Sequence, residues 1–103
     1  MKLPLASLRV GQQRCVNLGT TVVLVCRTEG GVFAVENRCS HYESALFGGA
    51  LSGETIRCPV HGAKFDLRTG ESLTNKGLHP VRTFAVTIED DVITIGDSES
   101  PAS

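Results

Sequence analysis

Short runs of β-forming residues, broken by glycine and polar turns, occupy the first third of the chain. Residues 21–26 and 32–35 are both rich in valine, and a Glu-Gly-Gly segment at residues 29–31 separates them. β-branched and aromatic residues fit a pleated surface, and glycine tolerates the backbone angles of a tight turn. This stretch therefore predicts a β-hairpin.

The last part of the chain repeats this arrangement. Apolar side chains at alternate positions in residues 84–88 precede an acidic turn at residues 89–91, and the apolar run at residues 92–95 returns as a second strand. Alternation with a period of two is typical of a half-buried strand, so the chain is predicted to be all-β. We expect a single domain over residues 1–97, followed by a polar C-terminal tail over residues 98–103.

The middle of the chain departs from the strand pattern and carries the candidate chemistry. Between residues 37 and 79 it is rich in Gly, Ser and Thr, and it contains C-x-H at Cys39 and His41 and, after sixteen residues, C-x-x-H at Cys58 and His61. Each motif offers a metal one thiolate and one imidazole. A zinc ion usually takes two Cys from one turn and two His from another, whereas these pairs are crossed, which suits a centre with two unlike metal ions.

The motif C-x-H, a gap of sixteen residues and C-x-x-H resembles the signature of the Rieske [2Fe-2S] family. The resemblance covers roughly residues 3 to 96, and Gly62 and Phe65 fit the second loop of that family. It implies a Rieske-like β sandwich or barrel into which a small cluster-binding subdomain, at about residues 37–79, is inserted.

The resemblance also implies the ligand set. Cys39 and Cys58 would hold the inner iron through their thiolates, and His41 and His61 would hold the outer iron of one [2Fe-2S] cluster per chain. Because neutral imidazoles replace two thiolates, such a cluster is less negative than an all-Cys cluster and accepts an electron more readily.

Four positions depart from the pattern of the high-potential members of this family. Ala63 and Phe65 stand where those members place a Ser and a Tyr hydroxyl, and Ser44 and Val60 stand where they place a disulfide. The resemblance is therefore to the low-potential branch. We expect a midpoint potential toward the bottom of the range of about −150 to +300 mV that Rieske centres span.

Only His79 remains once these ligands are assigned, so the chain lacks the residues for the mononuclear iron site of two His and one carboxylate that Rieske oxygenases use. The sequence also has no G-x-G-x-x-G nucleotide loop. The resemblance thus implies a one-electron carrier, not an enzyme. Such a carrier receives electrons from a flavin-dependent NAD(P)H reductase and passes them to a terminal, aromatic-ring-hydroxylating oxygenase through transient contacts near His41 and His61.

Two alternatives to the carrier stay open at this point. One is the small Rieske-like subunit of an assimilatory nitrite reductase, and the other is a zinc-stabilised interaction module with no redox role. The full set of ligands, Cys39, His41, Cys58 and His61, favours the electron carrier.

Composition narrows the partners and the location. A formal net charge of −1 and the lack of a Lys/Arg run argue against a nucleic-acid partner. No apolar run approaches the roughly 20 residues of a transmembrane helix, and the N-terminal residues do not resemble a secretory signal. We expect a cytoplasmic monomer, in which Cys15 and Cys26 are small buried apolar residues or free thiols and His79 is a surface or hydrogen-bonding residue.

Apolar residues surround the candidate ligands. Tyr42, Pro59 and Val60 are expected to contact a redox partner, since apolar side chains beside exposed ligands suit a surface that excludes water. Leu46 and Phe47 fit either that surface or a small core that packs the two loops together.

Overall fold

The structure is a computed structural model that describes residues 2–19, 21–38, 45–59, 62–74 and 81–99. Its strands are β1 (Lys2–Pro4), β2 (Gln13–Leu18), β3 (Thr21–Thr28), β4 (Gly31–Glu36), β5 (Ala50–Ser52), β6 (Thr55–Arg57), β7 (Lys64–Asp66), β8 (Thr83–Glu89) and β9 (Val92–Glu99). A single 3₁₀ turn over Leu5–Ser7 follows β1 within the described ranges. The predicted all-β fold is confirmed, and no helix in these ranges is long and apolar enough to cross a membrane.

Six strands form one antiparallel sheet in the order β1-β9-β8-β4-β3-β2. The β3–β4 pair is the first predicted hairpin, in which Thr28 pairs with Gly31, so that Glu29 and Gly30 alone form the loop. β3 carries buried side chains on both of its faces. Its nearly continuous apolar run follows from this position, because a strand covered on both sides has no polar face.

The second predicted hairpin is formed by β8 and β9. Glu89 pairs with Val92, and Asp90 and Asp91 form a two-residue loop with φ angles of 50° and 61°. Left-handed angles at both loop positions give a turn whose twist matches that of the two strands. Asp is one of the few residues other than Gly that adopts these angles readily.

The C-terminal boundary differs from the sequence-based prediction. β9 extends to Glu99, whose backbone pairs with Phe84 beyond a register shift between Phe84 and Val86. Residues 98 and 99 therefore belong to the sheet and not to the predicted tail. Strand pairing uses backbone groups, so a polar sequence does not prevent it. Residues 100–103 lie outside the described part of the chain.

The three remaining strands form a small antiparallel sheet in the order β5-β6-β7. Leu51, Ile56 and Phe65 are in register across it, and Ile56 and Phe65 are fully buried. Each of these two side chains contributes about 1.5–3 kcal/mol by leaving water. The small sheet lies inside the segment that the sequence predicts to form the cluster-binding subdomain, residues 37–79.

Two buried clusters lie on opposite faces of the central strands. One contains Leu3, Leu8, Val16, Val23, Val25, Ala34, Phe84, Ile93 and Ile95. The other contains Leu24, Cys26, Val35, Leu46, Ile56, Cys58, Phe65, Leu67 and Val81, and it joins the large sheet to the small one. Because Cys58 is part of the second cluster, the candidate metal site is built directly on the core.

Candidate metal centre

The second candidate ligand loop is closed at its base by two backbone hydrogen bonds. The N–H of Cys58 donates to the carbonyl of Ala63 (2.7 Å), and the N–H of Gly62 donates to the carbonyl of Cys58 (2.9 Å). Gly62 has a φ of +75°, a left-handed angle that glycine adopts without steric cost. β6 and β7 thus hold both ends of this loop, while Val60 and His61 lie outside the described residues.

Cys58 is directed into the core. Its relative exposure is 1%, and it packs in the same buried cluster as Leu46 and Ile56. A buried thiolate is costly unless a bound metal compensates its charge, so this position fits a cysteine that ligates a protected metal ion. The two predicted ligands of the first loop, Cys39 and His41, lie outside the described residues.

Asn37 joins the chain before the first candidate ligand loop to the chain after it. Its Oδ1 accepts hydrogen bonds from the N–H groups of Leu46 (3.0 Å) and Phe47 (2.9 Å). Its Nδ2 donates to Sγ of Cys15 (3.4 Å) on β2. One side chain therefore fixes both ends of the segment 39–44, which itself is not among the described residues.

Gln13 on β2 holds the chain that follows. Its Oε1 accepts from the N–H of Gly48 (2.9 Å), and its Nε2 donates to the carbonyl of Gly49. The N–H of Gly49 donates to the carbonyl of Leu46 (3.0 Å). All four backbone N–H groups of residues 46–49 are thereby paired, which fixes the segment that leaves the first loop.

Gly49 brings the two candidate loops together. A Cβ atom at Gly49 would overlap the carbonyl oxygen of Arg57 and would lie 3.0 Å from that of Leu46. Both obstacles are backbone atoms, so they cannot yield by a change of rotamer. Since Arg57 directly precedes Cys58, the absence of a side chain at Gly49 lets the segment leaving the first loop lie against the start of the second.

The contacts by which Asn37, Gln13 and Gly49 hold these loops were not predicted from the sequence. Asn37 has no local signal, because its backbone partners Leu46 and Phe47 lie nine and ten residues further along the chain. Gln13 has no such signal, since its partners lie 35 and 36 residues further along the chain. The need for glycine at Gly49 likewise arises from a contact made only in the folded chain.

The apolar residues around the ligands divide between core and surface. Leu46 is fully buried, whereas Phe47 is 51% exposed. Pro59 is exposed, as a contact residue requires. Leu46 therefore belongs to the core that packs the loops, and Phe47 and Pro59 are available to a partner. Tyr42 and Val60 lie outside the described residues.

The two cysteines away from the ligand loops are free thiols, as expected from the sequence. Cys15 is exposed and Cys26 is fully buried. Burial, with a smaller contribution from Cys15, raises the pKa of Cys26 to about 12. Cys26 is therefore protonated at neutral pH and acts as a small apolar core residue. His79 lies outside the described residues.

A model of the Rieske [2Fe-2S] domain family matches residues 3–85, which is most of the chain. The chain belongs to the Rieske [2Fe-2S] domain family. Its cofactor is accordingly the [2Fe-2S] cluster of that family, and the buried Cys58 at the base of a closed loop fits that cofactor. The two hydroxyls of high-potential Rieske centres are missing at Ala63, which is half-buried, and at Phe65, which is fully buried.

Two relatives differ in how much of their length the Rieske chain spans. It is 38% identical over 77 residues to the biphenyl 2,3-dioxygenase ferredoxin component of Rhodococcus jostii (strain RHA1), a match covering 75% of this chain and 72% of that protein. It is 39% identical over 89 residues to apoptosis-inducing factor 3 of Mus musculus, which covers 86% of this chain but only 15% of that protein.

Solved structures share the fold along nearly the whole chain. The ferredoxin of carbazole 1,9a-dioxygenase from Nocardioides aromaticivorans IC177 is 31% identical, with a TM-score of 0.86 over 93% of this chain and 94% of that chain. A chain of the complex of reduced oxygenase and oxidized ferredoxin in carbazole 1,9a-dioxygenase is 28% identical, with a TM-score of 0.86 over 93% and 100%. A putative NADH-dependent nitrite reductase small subunit from Mycobacterium tuberculosis, 18% identical with a TM-score of 0.82 over 92% and 93%, shows a shared fold alone.

Proposed function

We propose that this Rieske chain is a one-electron carrier, not an enzyme, that serves a terminal aromatic-ring-hydroxylating oxygenase. The observation that carries the proposal is the 38% identity over 72% of a dioxygenase ferredoxin component. The fold of a second dioxygenase ferredoxin, matched along 93% of this chain, supports it. When bound, the [2Fe-2S] cluster takes up and releases one electron.

We assign the cluster to the four residues of the two motifs. Cys39 and Cys58 would hold one iron as thiolates, and His41 and His61 would hold the other through imidazole nitrogen. The burial of Cys58 supports this assignment, because the protected side of the site then carries the charged sulfur ligand. The imidazoles are left for the side on which a partner approaches.

The surrounding residues keep the two loops in place. Asn37 binds the segment that leaves the first loop, and Gly49 lets that segment lie against Arg57 at the start of the second. Ligands held by a rigid base keep their geometry when the charge of the site changes, so little rearrangement accompanies electron transfer. The core below Cys58 excludes water from that side of the site.

The electron donor and the cellular setting form a further part of the proposal. A flavin-dependent NAD(P)H reductase is the donor, both partners bind transiently near His41 and His61, and neither nucleic acid nor membrane is a partner. The chain acts as a cytoplasmic monomer, with one Rieske domain whose cluster-binding part covers about residues 37–79. A carrier that binds two partners in turn must leave one to meet the other, which suits a monomer.

The two alternative functions have weaker support. The nitrite reductase subunit rests on a solved structure that is 18% identical, which carries only the fold. The zinc-stabilised module does not agree with membership of a family whose domain is defined by a [2Fe-2S] cluster.

Reconstitution tests the proposed function. The purified chain is combined with NADH, a ferredoxin reductase and a biphenyl-type oxygenase, and the hydroxylated product is measured. Product formation should require the Rieske chain and should be lost with His61→Ala, which removes a proposed ligand. His79→Ala is the matched control and should retain activity. Equal product formation without the chain, or with His61→Ala, would contradict the proposal.

A further inference from the structure

The outer face of the small sheet presents two cations side by side. Ile56 and Phe65 point into the core, so the neighbouring residues Arg57 and Lys64 point outward, and they are directly opposite each other on β6 and β7. Both residues are exposed. Like charges at directly opposed positions of an antiparallel pair destabilise the sheet, so this pair works against folding.

The described neighbours of this pair do not compensate its positive charge. Among the residues that the structure describes, none forms an ion pair with Arg57 or Lys64. Asp66, the next residue on the same face of β7, is engaged by Arg68 at 3.4 Å. The whole chain has ten basic and eleven acidic residues, so a local excess of positive charge does not follow from its composition.

The two cations lie in an open depression whose other lining residues are uncharged. A surface depression of about 410 Å³ is lined by Ala50, Ser52, Thr55, Arg57, Lys64 and Leu73. Leu73 is 54% exposed, which makes it one of the few large apolar side chains at the surface among the described residues. Two cations beside an exposed leucine give a surface that suits a partner with carboxylates around an apolar contact.

This surface adjoins the second candidate ligand loop. Arg57 directly precedes Cys58 in the chain, and its guanidinium lies over the backbone of Gly62. A Cβ atom at Gly62 would be 3.2 Å from one terminal nitrogen of Arg57 and 3.3 Å from its Nε. Since Gly62 follows His61, the positive charge lies beside the end of the loop that carries a proposed imidazole ligand.

We propose that Arg57, Lys64 and Leu73 form a docking surface for an acidic patch on the terminal oxygenase. Attraction between the two surfaces raises the rate of productive encounter and orients the second ligand loop toward the oxygenase. The inference rests on the proposed electron-carrier function and adds to it the chemistry of the oxygenase surface.

The test compares two double variants with the same change in net charge. Arg57→Glu/Lys64→Glu reverses the docking surface. Lys2→Glu/Arg9→Glu is the control, since both residues are exposed and neither lines the depression beside Phe47 or the one beside the docking surface. Stopped-flow spectroscopy measures the second-order rate of electron transfer from the reduced chain to a biphenyl-type oxygenase at several salt concentrations. Visible spectrum and midpoint potential are recorded for each protein.

The wild-type rate should fall as salt rises, because salt screens the attraction. The docking variant should be slower by about tenfold or more at low salt and should lose or invert the salt dependence, whereas the control should keep the wild-type slope. The slope is the decisive quantity, since a change in midpoint potential alters the rate but not its response to salt. If the charge reversal prevents cluster binding, Lys64→Gln should still slow transfer about two- to fivefold at low salt.

Equal slopes for the docking variant and the control would overturn the inference. So would a variant that slows electron transfer from the reductase but not transfer to the oxygenase, because the surface would then belong to the other partner. A wild-type chain that passes no electrons to any such oxygenase fails at an earlier step and counts against the proposed function itself.

Discussion

Gly49 allows the segment that leaves the first ligand loop to contact the start of the second. Its missing side chain leaves room for the backbone carbonyl of Arg57, one residue before the buried Cys58. The requirement is steric, because a Cβ atom there would meet backbone atoms and not the flexible end of a side chain.

Gly49→Ala should therefore destabilise the protein by about 1–3 kcal/mol, the usual cost of overpacking, and should speed the loss of the cluster. Gly96→Ala on β9 is the control, since its added methyl would lie at an ordinary 3.7 Å from the Cβ of Ala85. Thermal unfolding and the decay of the visible absorbance measure the two effects. Equal behaviour of the two variants would show that the close approach at Gly49 has no steric consequence.

Cys26 makes stability depend on pH in the alkaline range. Burial raises the pKa of its thiol from 9.0 to about 12 in the folded chain, and Cys15 adds to the shift. The unfolded chain releases the proton above pH 9, whereas the folded chain retains it up to about pH 12. The contribution of this group to the free energy of unfolding is therefore fully present below pH 9 and is lost between pH 9 and 12. This single group should remove about 1.4 kcal/mol by pH 10.

Cys26→Ala should lose less stability than the wild type between pH 8 and pH 10, even though it is less stable at pH 8 because it leaves a small cavity. Urea unfolding at the two pH values measures the difference. Val35→Ala, which also leaves a cavity in the same buried cluster but removes no titrating group, is the control and should retain the wild-type loss. An identical alkaline loss in Cys26→Ala and the wild type would rule out the buried thiol as its source.

At the scale of elements, the first ligand loop is tied at its base by Asn37. Its Oδ1 accepts from the N–H groups of both Leu46 and Phe47. An acceptor that serves two backbone donors is not replaced by an apolar side chain, and donors left without a partner cost about 1–3 kcal/mol each when buried.

Asn37→Leu should accordingly release the cluster faster than the wild type on mild heating. Asn37→Asp keeps the acceptor oxygen while removing the bond to Cys15, so it should lie close to the wild type. Bleaching of the visible absorbance over time measures the release. If Asn37→Leu and Asn37→Asp lose the cluster at the same rate, the bonds to Leu46 and Phe47 do not hold the loop.

The elements that were predicted correctly are those with local signals. The first hairpin follows from the β-rich runs on either side of residues 29–31, and the second from the alternating apolar residues before the acidic turn at residues 89–91. The loops themselves are residues 29–30 and 90–91. The predicted last strand ends before Glu99 because the final residues of β9 are polar, although their backbone pairs with β8. β5, β6 and β7 were not predicted individually, since strands of three residues are too short to show a period.

At the scale of the whole molecule, the sequence predicted the family and its cofactor more securely than the packing around them. Metal ligands must be particular residue types at particular spacings, so C-x-H and C-x-x-H are visible without a fold. The contacts of Gln13 with Gly48 and Gly49 depend on the edge strand β2 lying beside residues 48 and 49, and no spacing within the chain encodes them.

The redox potential of the whole protein should lie toward the bottom of the Rieske range of about −150 to +300 mV, since no hydroxyl is present at Ala63 or Phe65. Ala63→Ser should raise the midpoint by about 60 mV, which corresponds to one hydrogen bond of about 1.4 kcal/mol to the reduced cluster. Ala50→Ser on the outer face of the small sheet is the control and should leave the midpoint unchanged. Protein-film voltammetry measures both, and a wild-type midpoint well above zero would contradict this prediction.

Pulsed electron paramagnetic resonance of the dithionite-reduced protein tests the assigned ligands most directly. One unpaired electron per chain with nitrogen couplings from two histidines is predicted, and His41→Cys should remove one of these couplings. A reduced protein without a signal, or with a cluster signal that lacks nitrogen couplings, would contradict ligation by Cys39, His41, Cys58 and His61.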